Sequence, residues 1–385
     1  MKTLIKNAKI VTSQEVLEGY VCSFTNGFID YIGRDMQDAD AVIDAQNQYL
    51  VPGFIDLHCH GCNGMAFMGG SEDEFGKIAE FHLQHGTTTM LATTSTSSME
   101  EIENTLDTFA QYKKKYPNSS LEAMHMEGPW LSPAQCGAQA EDFMRTPLAE
   151  ELYALKERYP FLVRVDAAPE LVGGMEFGKK GIELGLRMGV AHSDAVFTDI
   201  EQAVECGYTI MTHLYSGMKG TERKNAYRIA GAVEAGIYFN ELYTELIADG
   251  KHLPLELLRF IYKCKGADRI CLVTDASRAC GLPEGAMTTG VSAAASIPII
   301  VEDGVAKLMN RQAFAGSAAT ADRLYRTMAQ AIGKDMVALS KMSSLTPARA
   351  MGWNDRGEIA SGKRADMLIL NEQLEIVQVI TDRKN

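Results

Sequence analysis

His58, His60, Glu127, His192, His213 and Asp275 lie far apart in the chain, yet each ends a short apolar run. His58 and His60 are two apart, so on a strand their side chains point the same way. Two imidazoles so placed can grip one metal ion, or form a buried hydrogen-bonded pair. Glu127 closes MHMEGPW, where Gly128-Pro129 stops the strand. A carboxylate there can bridge two metals or bind one; a solvent-facing turn glutamate would not account for the apolar residues around it. His192 (MGVAHSDA) and His213 (IMTHLYS) end the next histidine-bearing runs. This set of nitrogen and oxygen donors suits Zn²⁺ or Fe²⁺, one ion or two, and its imidazole content argues against Mg²⁺ or Ca²⁺. Asp275, ending ICLVTDAS, can accept a proton from a metal-activated water and pass it to a leaving amine, or serve as a ligand or a cap. The pattern is that of metal-dependent hydrolysis.

The other histidines carry weaker signals. His82 and His85 (FHLQHG) fall on a helical stretch and read as structural, while His125 shares a face with Glu127 and reads as support for it. His252 follows Asp249-Gly250; it could orient a substrate carbonyl or be a loop histidine without that role. Cys59 and Cys62 form a Cys-x-x-Cys, but Cys59 sits between the two histidines and must face away from them. No second such pair exists, so Cys59 is expected to pack against a helical layer, with Cys62 in the following loop.

The elements that must position these residues are eight runs: GFIDLHCH, TTTMLATT, LEAMHMEG, LVRVDAAPE, LRMGVAHSD, YTIMTHLYS, YTELIADGKH and RICLVTDAS. Most are separated by helical stretches such as EEIENTLDTFAQYKKKY and LAEELYALKERY. Strand–helix alternation repeated eight times predicts an α/β fold, a (β/α)₈ TIM-type barrel, whose site gathers at the carboxyl ends of its strands. Residues 1–51 read instead as short strands and turns, with an Asn26-Gly27 hairpin signal. The tail GEIASGKRADMLILNEQLEIVQVITD returns to short strands, so 1–51 and 352–385 are expected to form a small β domain beside a barrel spanning 52–351. GLPEGAMTTGVSAAASIPIIVEDGVAKL suggests an inserted hairpin; AATADRLYRTMAQAI and MVALSKMSSLTPARAMG read as helices.

The 385 residues can bury a large core, and 46% hydrophobic content is ordinary for a globular protein. The formal charge of −13 argues against a nucleic-acid surface. No run approaches the roughly 20 apolar residues needed to cross a bilayer, and no signal-peptide stretch opens the chain. A cytoplasmic protein with reduced, dispersed cysteines is expected.

PGFIDLHCHG, HMEGPWLSP, AHSDA, THLYSGM, ELIADGKH, LVTDAS and GEIASGKRADMLIL, in that order, resemble the amidohydrolase superfamily and, within it, the N-acetylglucosamine-6-phosphate deacetylases. The resemblance implies a barrel with a small β-sandwich built from both termini, a homodimer, and deacetylation of an amino sugar phosphate. It assigns Glu127, His192 and His213 to one metal, and His58 and His60 to a second position with Glu127 as bridge. Asp275 takes acid–base work, and the metal with His252 would stabilise the developing oxyanion. By position, Ala138, Gln139, His252, Phe314, Ala315 and Gly316 would contact the sugar. The chain departs from the family pattern in two places. Ser216 and Gly217 stand where the family usually reads Asn-Ala. KGTERKNAYRIAG replaces a His-Arg-(Glu/Asp)-Pro-Gly segment whose arginine helps bind phosphate. Among Lys219, Arg223, Lys224 and Arg228, Arg223 is nearest by spacing; the segment could serve a phosphate or be an exposed charged face. The alternative is another amidohydrolase reaction on N-acetylgalactosamine-6-phosphate, an unphosphorylated amino sugar or an N-acyl amino acid.

Overall fold

The computed structural model describes residues 1–290 and 295–385. Its centre is an eight-stranded parallel sheet: β1 (Phe54–Cys59), β2 (Thr87–Thr94), β3 (Leu121–Glu127), β4 (Leu162–Ala167), β5 (Arg187–Val190), β6 (Tyr208–Met211), β7 (Tyr243–Leu246) and β8 (Ile270–Leu272). Each strand pairs with its neighbours in chain order. All eight predicted runs are strands. They are nearly continuous in apolar character because both faces of such a sheet are covered.

The sheet is curled. Ile55 and Leu57 of β1, Leu91 of β2, Ala123 of β3, Ile210 of β6 and Cys271 of β8 share one buried cluster with Ala348, Ala350 and Met351. A flat sheet would hold β1 and β6 far apart; curvature brings them together. At the two sheet edges, Cys59 bridges in parallel to Ala276, and the amide of Asp275 donates to His58 O at 2.8 Å. On the outer face, Met124, Met126, Val165, Met188 and Val190 pack in the larger core with residues of the surrounding helices, such as Ile78, Phe109, Phe177 and Ile200.

Both chain ends build a separate seven-stranded sheet. Met367–Leu370 pairs antiparallel with Tyr49–Pro52, which lies parallel to Lys2–Val11. Its core holds Ile5, Ile10, Cys22, Ile29, Leu50, Met367 and Ile369. Val16–Thr25 and Phe28–Gly33 form the expected hairpin, and Asn26 (φ 51°) with Gly27 (φ 77°) gives the left-handed pair that a two-residue turn requires.

The segment after β8 differs from its expected hairpin. Gly285–Thr288, Pro298–Glu302 and Val305–Leu308 make a three-stranded antiparallel sheet. Val291 to Ala294, within that predicted element, lie outside the described residues. The predicted helices at Ala321–Ile332 and from Met336 to Met351 are present, the second with a π turn at Lys341–Leu345. Among the described residues no helix is long and apolar enough to cross a membrane.

Candidate active site

At the carboxyl ends of the parallel strands the six expected donors converge. Glu127 is the last residue of β3, and His60, His192, His213 and Asp275 follow just beyond β1, β5, β6 and β8. Three of them carry left-handed backbone: φ is 42° at His192, 29° at His213 and 45° at Asp275. Non-glycine residues adopt that region only under compensation from their surroundings, and such positions gather at functional sites.

The two oxygens of Glu127 face different partners. Oε1 lies 2.7 Å from His213 Nε2 and 3.3 Å from His192 Nε2. Oε2 lies 3.3 Å from His60 Nε2 and 3.6 Å from His58 Nε2. Asp275 Oδ1 completes the second group, 3.2 Å from His60 Nε2 and 3.5 Å from His58 Nε2. Ligands at ~2.1 Å around a tetrahedral metal stand about 3.4 Å apart, so the separations of 3.2 to 3.6 Å fit a cation between the groups, while the 2.7 Å contact of His213 with Glu127 is a direct hydrogen bond.

The rings are aimed by contacts at their other nitrogens. His192 Nδ1 meets Gln135 O at 2.7 Å, His60 Nδ1 meets Ser95 Oγ at 3.2 Å, and His58 Nδ1 faces Glu245 Oε2 at 3.5 Å. Gly217 presses against His192: a Cβ there would fall 2.5 Å from Nδ1, and its φ is 55°. This explains why glycine, rather than a methyl-bearing residue, occupies that position.

Electrostatics agree with a site built for a cation. Burial alone would raise Glu127, but the charge of His58 and hydrogen bonds from His192 and His213 hold its carboxyl well below the usual range. Burial disfavours charge on His60, yet bonds to Asp275 and Glu127 lift it to about 9. His58 is likewise raised, against its burial, by Glu127 and Asp275. The carboxylates draw positive charge, and protons and a metal ion compete for that role.

His60, Glu127, His192, His213 and Asp275 border a cavity of about 320 Å³, and His58 is fully buried beside them. Ala138, Gln139, His252, Phe314, Ala315 and Gly316, the positions expected to contact a sugar, line the cavity, and so do Ser216 and Gly217, where the chain departs from the family pattern. Gln139 Nε2 donates to Glu127 Oε2 at 2.6 Å. His252 is held by Asp249, through Nδ1 at 2.8 Å and through its amide at 2.8 Å, with Phe314 against its ring. Arg223 does not join them. It stands exposed on a small hairpin, Glu222–Lys224 with Tyr227–Ile229, and no basic residue of 219–228 lines the cavity.

Cys62, expected in a loop, is instead buried in the two-residue strand Gly61–Cys62. Cys59 Sγ faces His82 Nε2 of the first helix at 3.3 Å, His85 meets Asp322 at 3.2 Å, and all eight cysteines are free. His125 sits below the donors, its Nε2 3.0 Å from Asp166. Sequence reasoning missed a buried layer beneath the site, Arg164, Asp166, Thr212 and Glu245. Its signal was present: Arg164 and Asp166 alternate within an otherwise apolar run.

Residues 49–384 match the Amidohydrolase family. A curated N-acetylglucosamine-6-phosphate deacetylase of Lysinibacillus sphaericus is 32% identical over 386 residues, covering 99% of this chain and 96% of that protein. This chain is an amidohydrolase of that deacetylase family. Its fold agrees: the crystal structure of N-acetylglucosamine-6-phosphate deacetylase from Pasteurella multocida superposes with a TM-score of 0.91 at 27% identity, covering 100% of this chain and 99% of that one. An N-acetylgalactosamine-6-phosphate deacetylase of Escherichia coli O157:H7 is 29% identical, covering 98% of both chains. The amidohydrolase acts on an N-acetyl amide, its family is metal-dependent, and its buried donors could hold a metal ion.

Proposed function

We propose that this amidohydrolase removes the acetyl group of N-acetylglucosamine-6-phosphate, giving acetate and glucosamine-6-phosphate. The observation that carries the reading is Glu127, whose two oxygens each face a separate group of imidazoles inside one cavity. Glu127, His192 and His213 would hold one metal ion; His58, His60 and Asp275, with Glu127 as bridge, would hold a second. Zinc or iron fits these donors. When bound, the cation acidifies a water and polarises the acetyl carbonyl.

The chain's own groups carry the proton. Asp275 takes it from the attacking water as the new carbon–oxygen bond forms at the acetyl carbon. Asp275 then delivers it to the amide nitrogen as the carbon–nitrogen bond breaks, so the sugar leaves as a neutral amine. His252, oriented by Asp249 at Nδ1, donates from Nε2 to the acetyl oxygen as negative charge develops there. The Asp249 carboxylate balances the imidazolium this requires. Ala138, Gln139, Ser216, Gly217 and the Phe314–Gly316 segment enclose the sugar. The reading extends to a catalytic barrel of 52–351 with a small β-sandwich from 1–51 and 352–385, in a cytoplasmic homodimer. The pairing of both chain ends in one sheet supports that division.

The galactosamine-6-phosphate relative favours a second reading, in which the epimer is the substrate. Acetate release by metal-loaded protein from both epimers, phosphorylated and not, separates them. N-acetyl amino acids in the same panel test the more distant alternative. Turnover of no phosphosugar in that panel would overturn the proposal.

A further inference from the structure

Asp275 carries its carboxylate into the site from a left-handed backbone, φ 45°. A residue with a side chain stays in that region only where its surroundings over-determine it. The Asp275 amide donates to His58 O at 2.8 Å, and its carbonyl accepts from Ser317 N at 2.7 Å. Gly316 permits the second contact: with φ 64°, a Cβ there would fall 2.9 Å from Asp275 O.

Thr274, the residue before it, is held on every polar group. Its amide donates to Asp56 Oδ1 at 3.1 Å, and its hydroxyl donates to Asp56 Oδ2 at 2.5 Å. Its carbonyl accepts from Ser317 Oγ at 2.6 Å, and its own Oγ1 accepts from Ala276 N at 3.1 Å. Asp56, Thr274 and Ser317 are all buried.

Strand pairing alone does not call for a carboxylate at Asp56. Burying one is costly, and Asp166 answers that cost with Arg164. Asp56 instead takes neutral donors: the two from Thr274 and the amide of His58 at 3.2 Å. The result is a bond between the first and eighth strands at the point where each delivers a site residue, His58 on one side and Asp275 on the other.

We propose that Asp56 and Ser317 are positioning residues for Asp275. They clamp Thr274 from opposite sides and so fix the left-handed turn that aims the Asp275 carboxylate into the cavity. The proposal rests on the deacetylase reading and on the proton transfer given there to Asp275. It also ties that carboxylate to the sugar side of the cavity, because Ser317 directly follows Phe314, Ala315 and Gly316.

The test compares metal-loaded wild type, Ser317→Ala, Thr274→Val, Thr274→Ser and Asp56→Asn on N-acetylglucosamine-6-phosphate, each with and without Asp275→Asn. Metal content and the urea midpoint are measured alongside. Tyr112→Phe, which removes a buried 2.7 Å hydrogen bond to Ser119 far from the site, is the control. A displacement of about 1 Å at a reacting group costs on the order of 10²-fold. Ser317→Ala and Thr274→Val are therefore expected to lower kcat by about 10- to 100-fold, with KM within a few-fold and metal retained. Asp56→Asn, which turns one acceptor into a donor, should fall in the same range. Thr274→Ser keeps the hydroxyl and should stay close to wild type. In the Asp275→Asn background the same substitutions should change the remaining rate by less than about 2-fold, because the group they position is already lost. Tyr112→Phe should lose stability with kcat unchanged.

Equal fractional losses in both backgrounds would make the clamp a structural brace and overturn the proposal. So would a kcat near wild type in Ser317→Ala or Thr274→Val, or a loss confined to KM. Full turnover in Asp275→Asn itself would remove the proposal while leaving the deacetylase reading. Wild type releasing no acetate from the phosphosugar would remove both.

Discussion

Two layers of carboxylates lie one above the other inside the curled sheet, and their partners differ. In the lower layer Asp166 and Glu245 grip Arg164: its Nε and Nη2 each reach Asp166 at 3.1 Å, and Nη2 reaches Glu245 at 3.1 Å. Nη1 adds a bond to Glu245 and another to Leu57 O, and Thr212 Oγ1 accepts from Nη2 at 2.9 Å. In the upper layer the charged partners of Glu127 and Asp275 are imidazoles, and the neutral amide of Gln139 also donates to Glu127. Burial is nearly complete in both, so burial is not the difference. The lower charges are closed by a guanidinium that never deprotonates. The upper charges are left to exchangeable protons or a cation. His58 joins the two layers, Nε2 toward Glu127 and Nδ1 toward Glu245. A fixed counter-charge makes a structural element, and a replaceable one makes a site.

The largest effect should come from the upper layer. Asp275→Asn keeps the shape and an oxygen donor but cannot relay a proton, so kcat should fall by about 10²- to 10⁴-fold with metal content retained. Metal analysis beside acetate release checks this, and turnover near wild type would refute the role. In the lower layer, Arg164→Met should leave two buried carboxylates uncompensated and cost about 3–5 kcal/mol of stability in urea unfolding. A loss below about 1 kcal/mol would erase the distinction between the layers.

Legibility followed the same division. Apolar runs bounded by turn signals marked all eight strands, because both faces of a parallel sheet are buried. The donors were readable because they end those runs. The lower layer was readable by parity in LVRVDA, but charged residues inside strands draw attention only once their partners are known. Arg223 was placed by spacing alone, and spacing says nothing about which way a hairpin leans. The left-handed backbone at His192, His213 and Asp275 was equally hidden, since it is imposed by the loops that hold them.

Metal removal is the next probe, with a smaller effect. A ligand present at 100 times its dissociation constant stabilises the fold by about 2.7 kcal/mol, so chelation should lower the melting temperature and reloading should restore it. Arg164→Met should lose stability with or without metal, while the metal-dependent increment should vanish in Glu127→Gln. A full increment in that variant would show that Glu127 is not the bridge.

The smallest effect sharpens the comparison along a single strand. Glu122 lies near the start of β3 and Glu127 at its end. Glu122 meets arginines rather than histidines: Arg356 Nη1 at 2.9 Å and Arg383 Nη1 at 3.1 Å. Burial would raise its carboxyl, but the hydrogen bond and charge of Arg356 and the charge of Arg383 outweigh it and hold it at about 2. A depressed carboxylate stabilises the folded state fully above its unfolded value, near 4.5, and loses that contribution as pH falls through about 2. Glu122→Gln should therefore cost about 1–3 kcal/mol at neutral pH. The gap from wild type should narrow steadily below pH ~4.5, as Glu122 in the unfolded chain begins to take up its proton. Urea unfolding of both proteins from pH 7 down to 3 follows that gap. A gap that stays constant across this window would mean that the two arginines hold Glu122 by packing and not by charge, and the contrast between the ends of β3 would fail.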